Sequence, residues 1–253
     1  MRRLRAVSEA EVIAEFLRKE FYNPEYHRDR DSNEEIVLHP DLTDERECHL
    51  RRNLLYRRRR QLWRELPLDT TWWEVELEQD DLARLDIFPR GRLAGLSGGR
   101  LSLSAFAEHI RENRWKSKYC NEVTKIQSLR YEIAQYDSRS SAILIGMSDH
   151  DSLSIFEGNH RMIAAFLVST EKVLQNFRYF CGFSPEMNRC VWYRNSMTNL
   201  WRYLQRRIRF EYLEPHKTPG REFASKQPIR MPARDPALKK EEAIIPAKDL
   251  ASK

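Results

Sequence analysis

The sequence holds no apolar run near the roughly 20 residues that a bilayer-spanning helix needs, so no membrane partner is expected. Its opening, MRRLRAVSEAEV, is basic but lacks the apolar stretch of a secretory signal, and a cytoplasmic setting is expected. Cysteine is scarce: Cys48, Cys120, Cys181 and Cys190. The nearest two, Cys181 and Cys190, are nine apart, unlike the short spacing of a zinc knuckle, so four reduced, partly buried thiols are expected. G-x-x-x-x-G-K-[ST], G-x-S-x-G and H-E-x-x-H are all missing, and with them the chemistry those motifs mark. No internal repeat is present.

What remains is enough for a packed protein. Of 253 residues, 41% are hydrophobic and 11% aromatic, which argues against wholesale disorder. The 44 basic residues exceed the 38 acidic ones, giving a net charge of +6. That balance permits a phosphate-bearing or nucleic-acid partner without requiring one.

Ser8 and Glu11 form a capping-box pattern, and Val12, Ile13, Phe16, Leu17 and Phe21 recur at helical spacing, so residues 9–22 read as an amphipathic helix. NPEYHRDRDSNEE reads as a polar loop. A second helix is expected from about Asp44 to Leu66, with Leu50, Leu54, Leu62 and Leu66 along one stripe. Arg57, Arg58, Arg59 and Arg60 fall in it. Arginine's planar fork suits phosphate, so these four are candidates for facing nucleic acid; the alternative is a solvated face paired with acids such as Glu34, Glu35 and Glu65.

Trp73, Val75 and Leu77 alternate with glutamates as on a half-buried strand. A short helix follows at Asp80, and Gly91, Gly95, Gly98 and Gly99 punctuate a loop. Ser102 or Ser104 caps a helix whose face holds Phe106, Ile110 and Trp115. SLRYEIAQY suits a strand or a helix. SAILIGM and LSIFEG read as strands around the turn SDHDS, in which Asp149, His150 and Asp151 are turn residues before they are metal ligands. HRMIAAFLVS is a helix, QNFRYFCGF and RCVWYR are a candidate hairpin, and Met197–Tyr212 a last amphipathic helix. Beyond Pro215 proline and lysine dominate, so disorder is expected. The expected organisation is a helical region over 1–66, an α+β domain over 67–213 and a Pro/Lys-rich tail over 214–253.

One stretch carries chemistry. In SIFEGNHRMIAAF a strand passes into a helix through Glu157, Gly158, Asn159, His160 and Arg161. Glycine lets backbone approach a ligand closely. The first amides of a helix lack intrahelical partners and its dipole favours negative charge, so the turn suits a phosphate. Gly158, Asn159, His160 and Arg161 are the candidate phosphate-binding residues. A carboxylate beside an anion site is costly unless it moves a proton or holds a cation. Glu157 is therefore a candidate general base or magnesium ligand, and His160 a candidate catalytic partner.

FEGNHRMIAA, set after an alternating strand, resembles the signature of the ParB/sulfiredoxin-like superfamily, whose members carry a strand, a turn of the D-G-x-H-R type and a helix. WWEVELEQDDL resembles the family's opening strand and short helix, so the resemblance runs from about Leu66 to Arg194. It implies an α+β fold, a small mixed β-sheet flanked by helices, and nucleotide phosphates held on the turn. Asn159 stands where sulfiredoxins have their catalytic cysteine, which excludes that chemistry. The G-E-R-R box of the chromosome-partitioning branch is absent. The D-G-H-H-R turn of the free serine kinase branch is the nearest, with Glu157 in place of aspartate. The function expected is a nucleotide-dependent phosphotransferase or hydrolase, binding ATP, ADP or CTP with magnesium and a small-molecule substrate. A nucleic-acid-associated protein and a non-catalytic nucleotide-binding domain are the alternatives.

Overall fold

The computed structural model describes residues 1–88, 91–96, 101–112, 115–136 and 139–209. The tail expected over 214–253 and the glycines Gly98 and Gly99 lie outside the described residues. The fold is α+β: one six-stranded mixed sheet with helices on both faces. The strands are β1 (Arg2–Val7), β2 (Thr71–Glu76), β3 (Leu85–Asp86), β4 (Ser140–Gly146), β5 (Leu153–Glu157) and β6 (Phe177–Phe183). Their order is β1-β2-β6-β4-β5-β3; β6 with β4 and β5 with β3 run parallel, the other pairs antiparallel. The helices are α1 (Glu9–Glu20), α2 (Arg30–Leu38), α3 (Glu45–Trp63), α4 (Gly91–Leu96), α5 (Leu103–Arg111), α6 (Cys120–Gln135), α7 (Asn159–Val168), α8 (Thr170–Gln175) and α9 (Met197–Ile208).

The central strand explains the layering. After its two serines β4 reads AILIG, apolar to its end, and a strand points successive side chains to opposite faces. Ala142 and Leu144 enter the core beneath α5, α6, α7 and α8. Ile143 and Ile145 enter the other core, with Val12, Phe16 and Leu17 of α1, Leu54, Leu55 and Trp63 of α3, and Trp192. Both cores are therefore built on one sheet.

Several elements differ from the sequence reading. Residues 2–7 form a strand whose arginines sit on an exposed edge facing acids: Arg2 pairs Glu76, and Arg5 pairs Glu74 at 2.8 Å. The segment 1–66 thus supplies a strand to the sheet as well as helices. The polar stretch after Asn23 is a 3₁₀ turn (Pro24–Asp29) and α2; only Ile36 and Val37 of α2 are buried, too few for a visible period. SLRYEIAQY belongs to α6, where Val123 and Ile126 are buried at helical spacing. RCVWYR is not a strand. Cys190, Val191 and Trp192 are buried consecutively, which a turn allows and a half-buried strand does not, and the Trp192 indole N–H donates to the Leu62 carbonyl at 2.8 Å. Trp115 lies beyond the end of α5.

Among the described residues no helix is long and apolar enough to cross a membrane. The four cysteines are free, with Cys181 and Cys190 buried.

Candidate functional site

The turn between β5 and α7 is where the sequence places it, and its backbone explains the glycine. Gly158 caps α7 with φ 96° and ψ 9°, a left-handed conformation that side chains disfavour. A Cβ there would lie 3.2 Å from the Ala142 Cβ and 3.3 Å from the Ser141 carbonyl oxygen. The close approach that requires glycine is therefore to β4.

Asn159 is likewise used internally. Its Oδ1 accepts from the Phe88 backbone N–H at 2.8 Å and its Nδ2 donates to the Ile155 carbonyl at 2.9 Å, pinning the chain after β3 to the start of α7. Its amide is a staple and not a phosphate donor. Both terminal nitrogens of Arg161 are engaged, one donating to Ser140 Oγ at 3.0 Å and the other to Glu157 at 2.7 Å. His160 Nε2 lies 3.0 Å from Glu122 of α6. Burial pulls its pKa down against the raising contact with Glu122, so at neutral pH the ring is uncharged.

Glu157 is the member whose titration is most displaced. Its side chain is 16% exposed. Burial pushes its carboxyl up to about 7; Arg161 opposes the shift, and the neighbouring Glu20 carboxyl adds to it. Glu20 ends α1 and also accepts from Asn23 Nδ2 at 2.6 Å and from Arg59 at 3.1 Å.

These residues line one cavity of about 700 Å³, bounded by Phe16 and Glu20 of α1, Arg59 of α3, Phe88, Lys125 of α6 and the turn from Glu157 to His160. Arg59 enters it because α3 kinks there, at φ −123° and ψ 23°. The turn and the arginine helix, two separate candidates in the sequence, thus meet at this residue.

The other arginines do not converge on the cavity. Arg58 donates to the buried Asp29 at 2.9 and 2.6 Å, and Arg57 lies 3.3 Å from the same carboxylate. Arg59 bridges Glu20 and Glu25. The side chain of Arg60 lies outside the described residues. The acids paired with Arg57, Arg58 and Arg59 are thus Asp29, Glu20 and Glu25, not Glu34, Glu35 or Glu65.

Glu20, Glu122 and Lys125 were missed in the sequence because each sits on another helix, with no motif of its own. The only sign at Glu20 is an acid in the last turn of a helix, where the dipole disfavours it. As for magnesium, Glu157 is committed to Arg161 and Glu20. Among the described residues no three His, Cys, Asp or Glu side chains converge as a metal set. The residues present do not fit a bound metal.

Comparison with known proteins supplies no identity for this arrangement: no family model, no curated protein and no solved structure matches the chain.

Proposed function

We propose that the 700 Å³ cavity binds a nucleotide, and that the protein is a nucleotide-dependent phosphotransferase or hydrolase of the ParB/sulfiredoxin-like kind. The observation that carries this reading is the Glu157–Glu20 carboxyl pair set in a cavity beside Arg59 and the start of α7. A carboxyl that titrates near neutrality is suited to proton transfer, because both of its forms are populated at working pH. The cavity volume lies in the range of small-molecule sites. Arg59 and Lys125 supply positive charge, the first amides of α7 supply donors, and Phe88 offers an aromatic wall.

The roles differ from those the motif alone suggests. Phosphate is held by Arg59, Lys125 and the α7 backbone, while Asn159, His160 and Arg161 hold the turn in shape. Glu157 takes the proton of the attacking hydroxyl or water. Phosphoryl transfer depends chiefly on positioning and charge neutralisation, which this set provides. The nucleic-acid alternative draws less support, since Arg57 and Arg58 are already held by the buried Asp29.

Calorimetric titration with ATP, ADP and CTP, with and without added magnesium, tests the reading. One of them is expected to bind. Lys125→Gln removes a charge that pairs with no acid among the described residues and is expected to weaken binding about tenfold, the loss of one charge-assisted contact. Glu157→Gln is expected to retain binding and to lower turnover by about 100-fold or more. Binding without turnover in the wild type would make this a regulatory site. No binding of any of the three nucleotides overturns the proposal.

A further inference from the structure

The helix α9 presents an apolar stripe to solvent. Met197 is 80% exposed, Trp201 63%, Leu204 38% and Ile208 55%. Their spacings of four, three and four residues put them in one line along the helix, over about 16 Å at 1.5 Å per residue. The opposite face fixes this rotation. Asn199 is buried and donates to the carbonyls of Asn188 at 2.8 Å and Arg194 at 2.9 Å. Tyr203 is buried edge-on against Trp192, ring centres 5.4 Å apart, and Arg206 pairs with the buried Glu65 at 3.2 Å. The stripe is held outward by polar anchors that would have to break to bury it.

Charge selects the occupant. From Asn195 to Arg209 the sequence has four arginines, Arg202, Arg206, Arg207 and Arg209, and no aspartate or glutamate. A second copy of α9 packed on the stripe would bring like charges together. Tryptophan and long aliphatic side chains flanked by arginines suit the boundary between headgroups and acyl chains.

We propose that α9 docks in the plane of a bilayer surface bearing anionic lipid, its stripe inserted and the arginines beside it, Arg202, Arg207 and Arg209, toward the headgroups. This is surface binding, distinct from a membrane span, and it stands apart from the cavity at Glu157.

Co-sedimentation of the full chain with phosphatidylcholine vesicles, with and without phosphatidylserine, tests it. Binding is expected only with the anionic lipid, with a blue shift and slowed acrylamide quenching of Trp201 fluorescence. The double variant Trp201→Glu/Ile208→Glu is expected to lose that binding by tenfold or more while keeping its melting temperature, because both side chains are exposed. Trp201→Phe is expected to restore most of the affinity lost in Trp201→Glu. Binding that survives the double substitution arises from charge elsewhere in the chain and overturns the proposal. So does the absence of binding to anionic vesicles at low salt. So does concentration-dependent dimerisation abolished by the same variant, which would assign the stripe to a second copy.

Discussion

At Glu157 the proton equilibrium and the stability of the fold are linked. Its folded pKa is raised from 4.5 to about 7, so the native state binds this proton more tightly than the unfolded chain does. The stabilisation is present in full below about pH 4.5, declines as pH rises, and is lost above about 7. Glu157→Gln does not titrate. The variant should therefore gain stability relative to the wild type between pH 4.5 and 7, with a constant difference above pH 8. A shift of this size corresponds to about 3 kcal/mol, and loss of the Arg161 contact cuts the net gain to about 1–2 kcal/mol. Melting temperatures of both proteins from pH 4.5 to 8.5 give the result, and a difference independent of pH would show that Glu157 does not carry this proton. The turn itself was legible, because glycine between an apolar strand and an apolar helix is a local pattern. The use of its residues was not. Gly158 faces β4, Asn159 faces Phe88 and His160 faces Glu122, all contacts between segments distant in sequence.

At the scale of elements the arginine helix shows how one composition supports two meanings. Arginines on a helix suit phosphate, yet α3 uses them to tie the N-terminal helices together. Arg51 is fully buried and donates to the carbonyls of Ile36 at 3.0 Å and Asp41 at 2.7 Å, while Arg52 reaches Glu9 of α1 at 3.0 Å. Asp29, 5% exposed, is held by Arg57 and Arg58. Removing one partner of a buried pair leaves a desolvated charge, which costs more than the pair contributes. Arg58→Gln should therefore lower stability by about 1–3 kcal/mol in urea denaturation, reduced from the fully buried case because Arg58 is part-exposed. Asp29→Asn, which leaves two arginines facing each other, should cost at least as much. Unchanged midpoints in both variants would leave these arginines free for an external anion. The helices with strong apolar periodicity, α1, α5 and α7, were readable, whereas α2 and β1 were hidden by charged residues whose acidic partners lie elsewhere in the chain.

On the scale of the whole molecule, one sheet serves two cores, and this decides whether residues 67–213 stand alone. The sequence suggests a division after Leu66, because the resemblance begins there and the texture before it is helical. In the structure the sheet face bearing Trp72, Ile143, Ile145, Phe156 and Phe180 is covered by Val12, Ile13, Phe16, Leu17, Leu54, Leu55 and Trp63. Burial of one such side chain contributes about 1.5–3 kcal/mol. Without these seven, the loss matches or exceeds the roughly 5–15 kcal/mol of net stability typical of a folded domain. Removal of β1 also leaves β2 as an open edge. Residues 67–213 expressed alone should show no cooperative urea transition, a weak near-UV circular dichroism spectrum and strong binding of a hydrophobic dye. The intact chain should show a single transition. The cavity carries the same dependence, because Phe16, Glu20 and Arg59 come from the helices before residue 67 and the turn at Glu157 from the segment after it. The truncated chain would lack the carboxyl partner that raises Glu157 and the arginine that faces it. If 67–213 instead melts cooperatively and binds nucleotide as tightly as the full chain, neither the shared core nor the shared cavity holds.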